Sequence, residues 1–109
     1  MTDQVKTTST VSESIKKQIG DAWRAHRQGQ HDTALNIFRQ VLKQEADNVD
    51  ALYGLGLVQK TSGDNTHARE TFSRLQDLLK ELQAQEDAGS PGRYFMLNNM
   101  VRQQLRLLG

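Results

Sequence analysis

The feature that most constrains this chain is that it repeats itself at an offset of 34 residues. Gly29 recurs as Gly63, Ala34 as Ala68 and Phe38 as Phe72, and the same offset carries Ile15 onto Val49, Ala22 onto Gly56 and Val41 onto Leu75. Each copy reads as a helix, a tight turn with glycine at the helix end, and a second helix. A period of this length belongs to solenoids built from helical hairpins. Six matches at one offset also set the pattern apart from the small and aromatic residues of an ordinary bundle.

Taken in order, the chain predicts five helices. The first is expected to start near Ser12, where Thr10 and Glu13 stand in capping-box spacing, after a polar and mobile tail over residues 1–11. Ile15, Ile19, Ala22 and Trp23 follow at i, i+4, i+7 and i+8 as one apolar stripe. Gly29 ends that helix, because glycine adopts the left-handed conformation of a helix terminus without a Cβ clash. Asp32 is expected as N-cap of the second helix, which turns Ala34, Leu35, Phe38, Val41 and Leu42 inward. Asp47 or Asn48 caps the third, with Ala51, Leu52, Leu55 and Gly56 inward until Gly63 stops it. The fourth carries Ala68, Phe72, Leu75, Leu79 and Leu82 to about Gln85. Ala22 with Ala34, and Gly56 with Ala68, allow close backbone approach, while Phe38 and Phe72 fill the wedge between hairpins. Residues 86–91 read as a turn in which Ser90 caps and Pro91 opens a fifth helix, reaching about Leu108. The domain plan is therefore a tail, two repeats within residues 12–86 (about 15–48 and 49–82), and a capping helix over 91–108.

Composition narrows the functional classes. A formal net charge of +1 over 109 residues offers no strongly basic face for nucleic acid. The absence of cysteine removes disulfides and thiol catalysis and disfavours zinc fingers, and it fits a cytoplasmic location. No apolar run is long enough to span a bilayer, and the N-terminus lacks the apolar core of a secretory signal. His26 and His31 lie five apart across a turn and His67 is remote in sequence, a poor pattern for a metal, so no metal or cofactor is expected. Acidic residues are scattered on faces that also carry Lys and Arg, with no nucleophile beside a base, so no catalytic residue is assigned and the chain is not expected to be an enzyme.

From about Ile15 to Leu82 the chain resembles the tetratricopeptide repeat family. Leu52, Leu55, Gly56, Gly63, Ala68 and Phe72 fall at signature positions of the second copy, with Leu75 where a small residue is usual. The first copy keeps Ala22, Gly29, Ala34 and Phe38. It has Gln18 and Asp21 where large apolar residues would face a preceding repeat, and Ala46 stands where a proline often closes the copy. The resemblance implies an all-α, right-handed helical-hairpin solenoid whose first helices line a concave groove that binds proteins or peptides. Carried over by position, the groove comprises Lys16, Ile19, Trp23, His26 and Arg27 from copy one, and Asp50, Tyr53, Leu57, Lys60 and Thr61 from copy two. Ile19 and Trp23 occupy the places where a chaperone-binding member of the family offers Lys and Asn to a C-terminal carboxylate, so that clamp is not expected.

An apolar groove centre with basic flanks suits a partner with an apolar anchor. The competing reading of Trp23 and Tyr53 is that the chain's own last helix or tail covers them. The fifth helix, rich in apolar residues, carries Arg93, Arg102 and Arg106 and no acid. It would seal the open end of the solenoid, pair with a second copy through Tyr94, Leu97, Met100, Val101 and Leu105, or lie on an anionic membrane surface, the least expected of the three. The functional expectation is a non-catalytic interaction module, the alternative a self-assembling homodimer.

Overall fold

The computed structural model describes the backbone of residues 2–85 and 92–109, and the side chains of 13–85 and 94–109. These residues form five helices: α1 (Thr2–Arg27), α2 (His31–Gln44), α3 (Val49–Thr61), α4 (Asn65–Ala84) and α5 (Arg93–Leu108). Among the described residues there is no strand. The architecture is a helical-hairpin solenoid: α1 packs on α2, α3 on α4, the hairpins meet through α2 and α3, and α5 lies on α4.

The two hairpin turns have one construction. Gly29 and Gly63 adopt φ of 78° and 91°, in the left-handed region. Gln30 N–H then donates to Ala25 C=O at 2.9 Å, and Asp64 N–H to Gln59 C=O at 2.8 Å, the six-residue closure of a glycine-terminated helix. The residue that closes one helix also opens the next, since the carbonyls of Gln30 and Asp64 accept from Ala34 and Ala68 N–H. This moves the start of α2 from its expected place. Gln30, not Asp32, is the N-cap, and it has no side-chain cap bond. Asp32 instead lies in the first turn, where its carboxylate faces the positive end of the helix dipole. At α3 the sequence reading holds: Asn48 Oδ1 accepts from Ala51 N–H at 2.9 Å.

One further helix boundary differs from expectation. α1 is helical from Thr2, so Thr10 and Glu13 sit inside the helix and do not cap it near Ser12. Ser and Thr cost up to about 0.7 kcal/mol each relative to Ala in a helix, too little to force a stop when the backbone bonds continue. α5 starts at Arg93 with Gly92 as N-cap. The expected start at Ser90 and Pro91 lies outside the described residues.

The first core gathers Ile15, Ala22, Ala25, Ala34, Phe38, Val41, Ala51, Leu55 and Val58; the second gathers Leu52, Ala68, Phe72, Leu75, Leu79 and Val101. Phe38 bridges the hairpins because Gly54 of α3 leaves room for its ring, whereas Phe72 of α4, expected in the wedge between hairpins, sits over Gly56 of α3 within its own hairpin. Gln59, buried between α3 and α4, is satisfied by Thr71, whose hydroxyl donates to its Oε1 at 2.7 Å. Three bonds fix α5: Asn98 Nδ2 donates to Gln83 Oε1 (3.3 Å), Lys60 Nζ to Gln104 Oε1 (2.7 Å) and Arg69 Nη2 to the Leu108 carbonyl (2.9 Å). Their order makes α5 antiparallel to α4 and parallel to α3.

Candidate interaction groove

The first helices of the hairpins, α1 and α3, are neighbours, and the residues expected to line the groove share one side of each. On α1, Lys16 and Arg27 are exposed and Ile19, Trp23 and His26 half-buried; on α3, Asp50 and Thr61 are exposed and Tyr53, Leu57 and Lys60 half-buried. The apolar members are thus neither enclosed nor free. Ile19 and Trp23 lean on the first core, Tyr53 and Leu57 on the second.

The aromatic rings are held by their inner edges. Trp23 stands edge-on to Phe38, with centroids 5.5 Å apart and planes at 79°, and edge-on to His26 at 6.0 Å. Tyr53 is tilted against Phe72 at 5.9 Å. Such edge contacts fix a ring without covering its outer face. Burial, then the neighbouring His31 and Arg27, hold the His26 pKa below its ordinary value, so its imidazole is neutral at neutral pH.

The histidines do not converge. His26 and His31 approach to 6.0 Å between ring centroids, each with a buried Nδ1 that meets no partner. His67 lies in the other hairpin against Asp64, with Nδ1 2.7 Å from Oδ2. Among the described residues no cluster of three His, Cys, Asp or Glu side chains could hold a metal ion.

Lys60 points toward α5 through its bond to Gln104, whereas Lys16 and Arg27, the other cations expected on this face, are exposed. α5 itself is turned differently from expectation. Of Tyr94, Leu97, Met100, Val101 and Leu105, Val101 is fully buried and Tyr94, Leu97 and Leu105 pack on the second core, so Met100 alone is exposed. The exposed large apolar side chains are Phe95 (56%), Met96 (67%), Met100 (42%) and Leu107 (64%). Periodicity carried the signal, because Tyr94, Leu97, Val101, Leu105 and Leu108 form one continuous stripe at i, i+3, i+7, i+11 and i+14. A second apolar stripe on the same helix obscured it. Gly54 was also missed, although Gly20 precedes it by the repeat offset.

A family model described as Tetratricopeptide repeat matches residues 25–86. Among curated proteins and among solved structures, nothing matches the chain. No helix among the described residues is long and apolar enough to cross a membrane.

Proposed function

This chain belongs to the tetratricopeptide repeat family, whose repeats generally mediate protein–protein interaction without catalysis, and on that premise we propose that it binds a partner segment across the faces of α1 and α3. The apolar anchor of the partner sits among Ile19, Trp23, Tyr53 and Leu57, and Lys16 and Arg27 favour acidic residues beside it. The observation that supports this most is the state of Trp23: its indole is braced by Phe38 and His26 yet only half-buried. A braced aromatic ring loses little conformational freedom on binding, which is why such rings dominate interface energies. Dimerisation through α5 is the weaker reading, since four of its five assigned residues pack within the chain.

The test uses a photocrosslinking residue in place of Leu57 and, as a folded control, in place of the exposed Asp77 on α4. Partner adducts are expected at position 57 only. Equal adducts at both positions, or none at 57, refute the assignment. Trp23→Ala with Tyr53→Ala should abolish capture while helicity by circular dichroism is retained.

A further inference from the structure

A first helix in this solenoid presents one strip to the preceding hairpin and another to the side it shares with neighbouring first helices. On α3 the former strip is Ala51, Leu55 and Val58, in the first core. Tyr53, Leu57 and Lys60 each follow one of these by two residues, about 200° round the helix at roughly 100° per residue. α5 repeats this arrangement. Its strip on the second hairpin is Tyr94, Leu97, Val101 and Leu105. About 200° round in the same sense, two residues after Tyr94, Val101 and Leu105, lie Met96, Gln103 and Leu107, with Met100 completing the stripe at i, i+4, i+7 and i+11. α3 and α5 run parallel, and the 2.7 Å bond from Lys60 to Gln104 joins the two outward strips at their edges. α5 therefore stands where the first helix of a third hairpin would stand, and its exposed stripe continues the face that carries Tyr53 and Leu57.

We propose that Met96, Met100 and Leu107 form a third wall of the groove and dock an acidic amphipathic helix of a partner protein, an inference that rests on the groove reading above and names its occupant. The stripe is one residue wide at helical spacing, the form of a seam that receives another helix. Methionine, unbranched and polarisable, adapts to such a guest. Charge selects its chemistry: Arg102 and Arg106, both exposed, flank the stripe on one side and Lys60 on the other. α5 contains no carboxylate. The ion pairs among the described residues join Lys17 and Arg24 to Asp21 and His67 to Asp64, so neither arginine meets an acid among those residues. Arg102 donates a 3.5 Å bond to Asn99 Oδ1. A second copy is the wrong occupant, because an antiparallel pair of α5 helices brings the two Arg102 side chains together with no acid on either helix. An anionic membrane is also disfavoured, since each basic residue near such a surface contributes only about 1 kcal/mol and two exposed arginines hold it weakly.

The chain carries one Trp and three Met, so Trp23 fluorescence and the methyl resonances of Met96 and Met100 report the two parts of the groove separately. The probe is a synthetic helical peptide with leucines at i, i+4, i+7 and i+11 and glutamates on both flanks; its control has lysines in place of the glutamates. The glutamate peptide should shift both methyl resonances to saturation. Met96→Glu, at an exposed site that leaves circular dichroism unchanged, should weaken it about tenfold or more. Arg102→Glu with Arg106→Glu should weaken it about fivefold and tighten the lysine peptide. Equal binding of the two peptides overturns the proposal. So do anionic vesicles that shift the methyls where the peptide does not, and a dimer by sedimentation whose dissociation moves them. A response at Trp23 with static methyls removes the third wall and leaves the groove; silence at both removes both.

Discussion

Gly54→Ala tests the seam between the hairpins. A Cβ built there falls 2.5 Å from Phe38 Cε1 and 2.7 Å from Cε2, and closer still to Cζ, against an ordinary contact of at least 3.4 Å. The ring must therefore retreat by about 1 Å or more, yet Phe38 is fully buried and Trp23 stands against it at 5.5 Å. Overpacking of this kind costs about 1–3 kcal/mol, and the rigid surroundings put this site near ~3. Ala returns about 1 kcal/mol through its better helix propensity, which leaves a net loss of roughly 2 kcal/mol. For a domain of this size that lowers Tm by about 10 °C. The repeat supplies an internal control, because a Cβ at Gly20 meets nothing within 4 Å. Gly20→Ala should raise stability by up to about 1 kcal/mol. Thermal melts followed by circular dichroism, with Trp23 emission as a local reporter, should thus move in opposite directions for one substitution at two repeat-related sites. Melts that move together, or a Gly54→Ala protein as stable as the parent, refute the close seating of Phe38.

Thr71→Val removes the donor to Gln59 and leaves a buried acceptor unmade, a loss of about 1–3 kcal/mol by chemical denaturation; adding Gln59→Leu should recover most of it. His26 is held below its ordinary pKa of 6.5 by burial, so the unfolded chain binds more protons between that value and the folded pKa. The stability linked to neutral His26 is complete above pH 6.5 and declines as pH falls through the folded pKa. Melts across this range should show the slope, and His26→Gln should flatten it, with His31 and Arg27 unchanged. Arg69→Ala removes the bond that holds the last carbonyl of α5; because that bond is exposed, Tm should hardly move while amide exchange at the end of α5 quickens.

What the sequence disclosed depended on how local each cause is. Gly29 and Gly63 were readable because a positive φ is a demand of the backbone itself, and Asn48 because a cap acts within three residues. Gln30 was hidden by the same turn: once Gly29 closes α1, the next residue becomes the cap whatever its side chain, and Asp32 is carried into the helix. Gly20 and Gly54 occupy one repeat position, and only the neighbour across the seam, Phe38, separates them. α5 shows the limit most clearly. Both of its stripes are apolar at helical spacing, and the choice of which turns inward is made by α3 and α4. Hence the six matched positions of the two hairpins followed from the repeat offset, whereas the exposed set Phe95, Met96, Met100 and Leu107 required the packing.

The two ends of the solenoid meet the stacking requirement in different ways, and that difference determines where apolar surface remains. A hairpin buries its face mainly against neighbours, so an outer face needs either a cover or polar residues. On the first hairpin the outer positions are polar: Gln18 accepts from Gln44 and donates to Ser14, and Asp21 is paired with Arg24. On the second hairpin the outer face stays apolar and α5 covers it with Val101, Leu97 and Leu105. A covering helix has its own far side, however, and polar residues do not close it here. The exposed large apolar side chains among the described residues all belong to α5, which Gln104 ties to Lys60 of α3. The exposed apolar surface is thus the remainder of a stacking requirement met by polarity at one end and by a two-faced helix at the other.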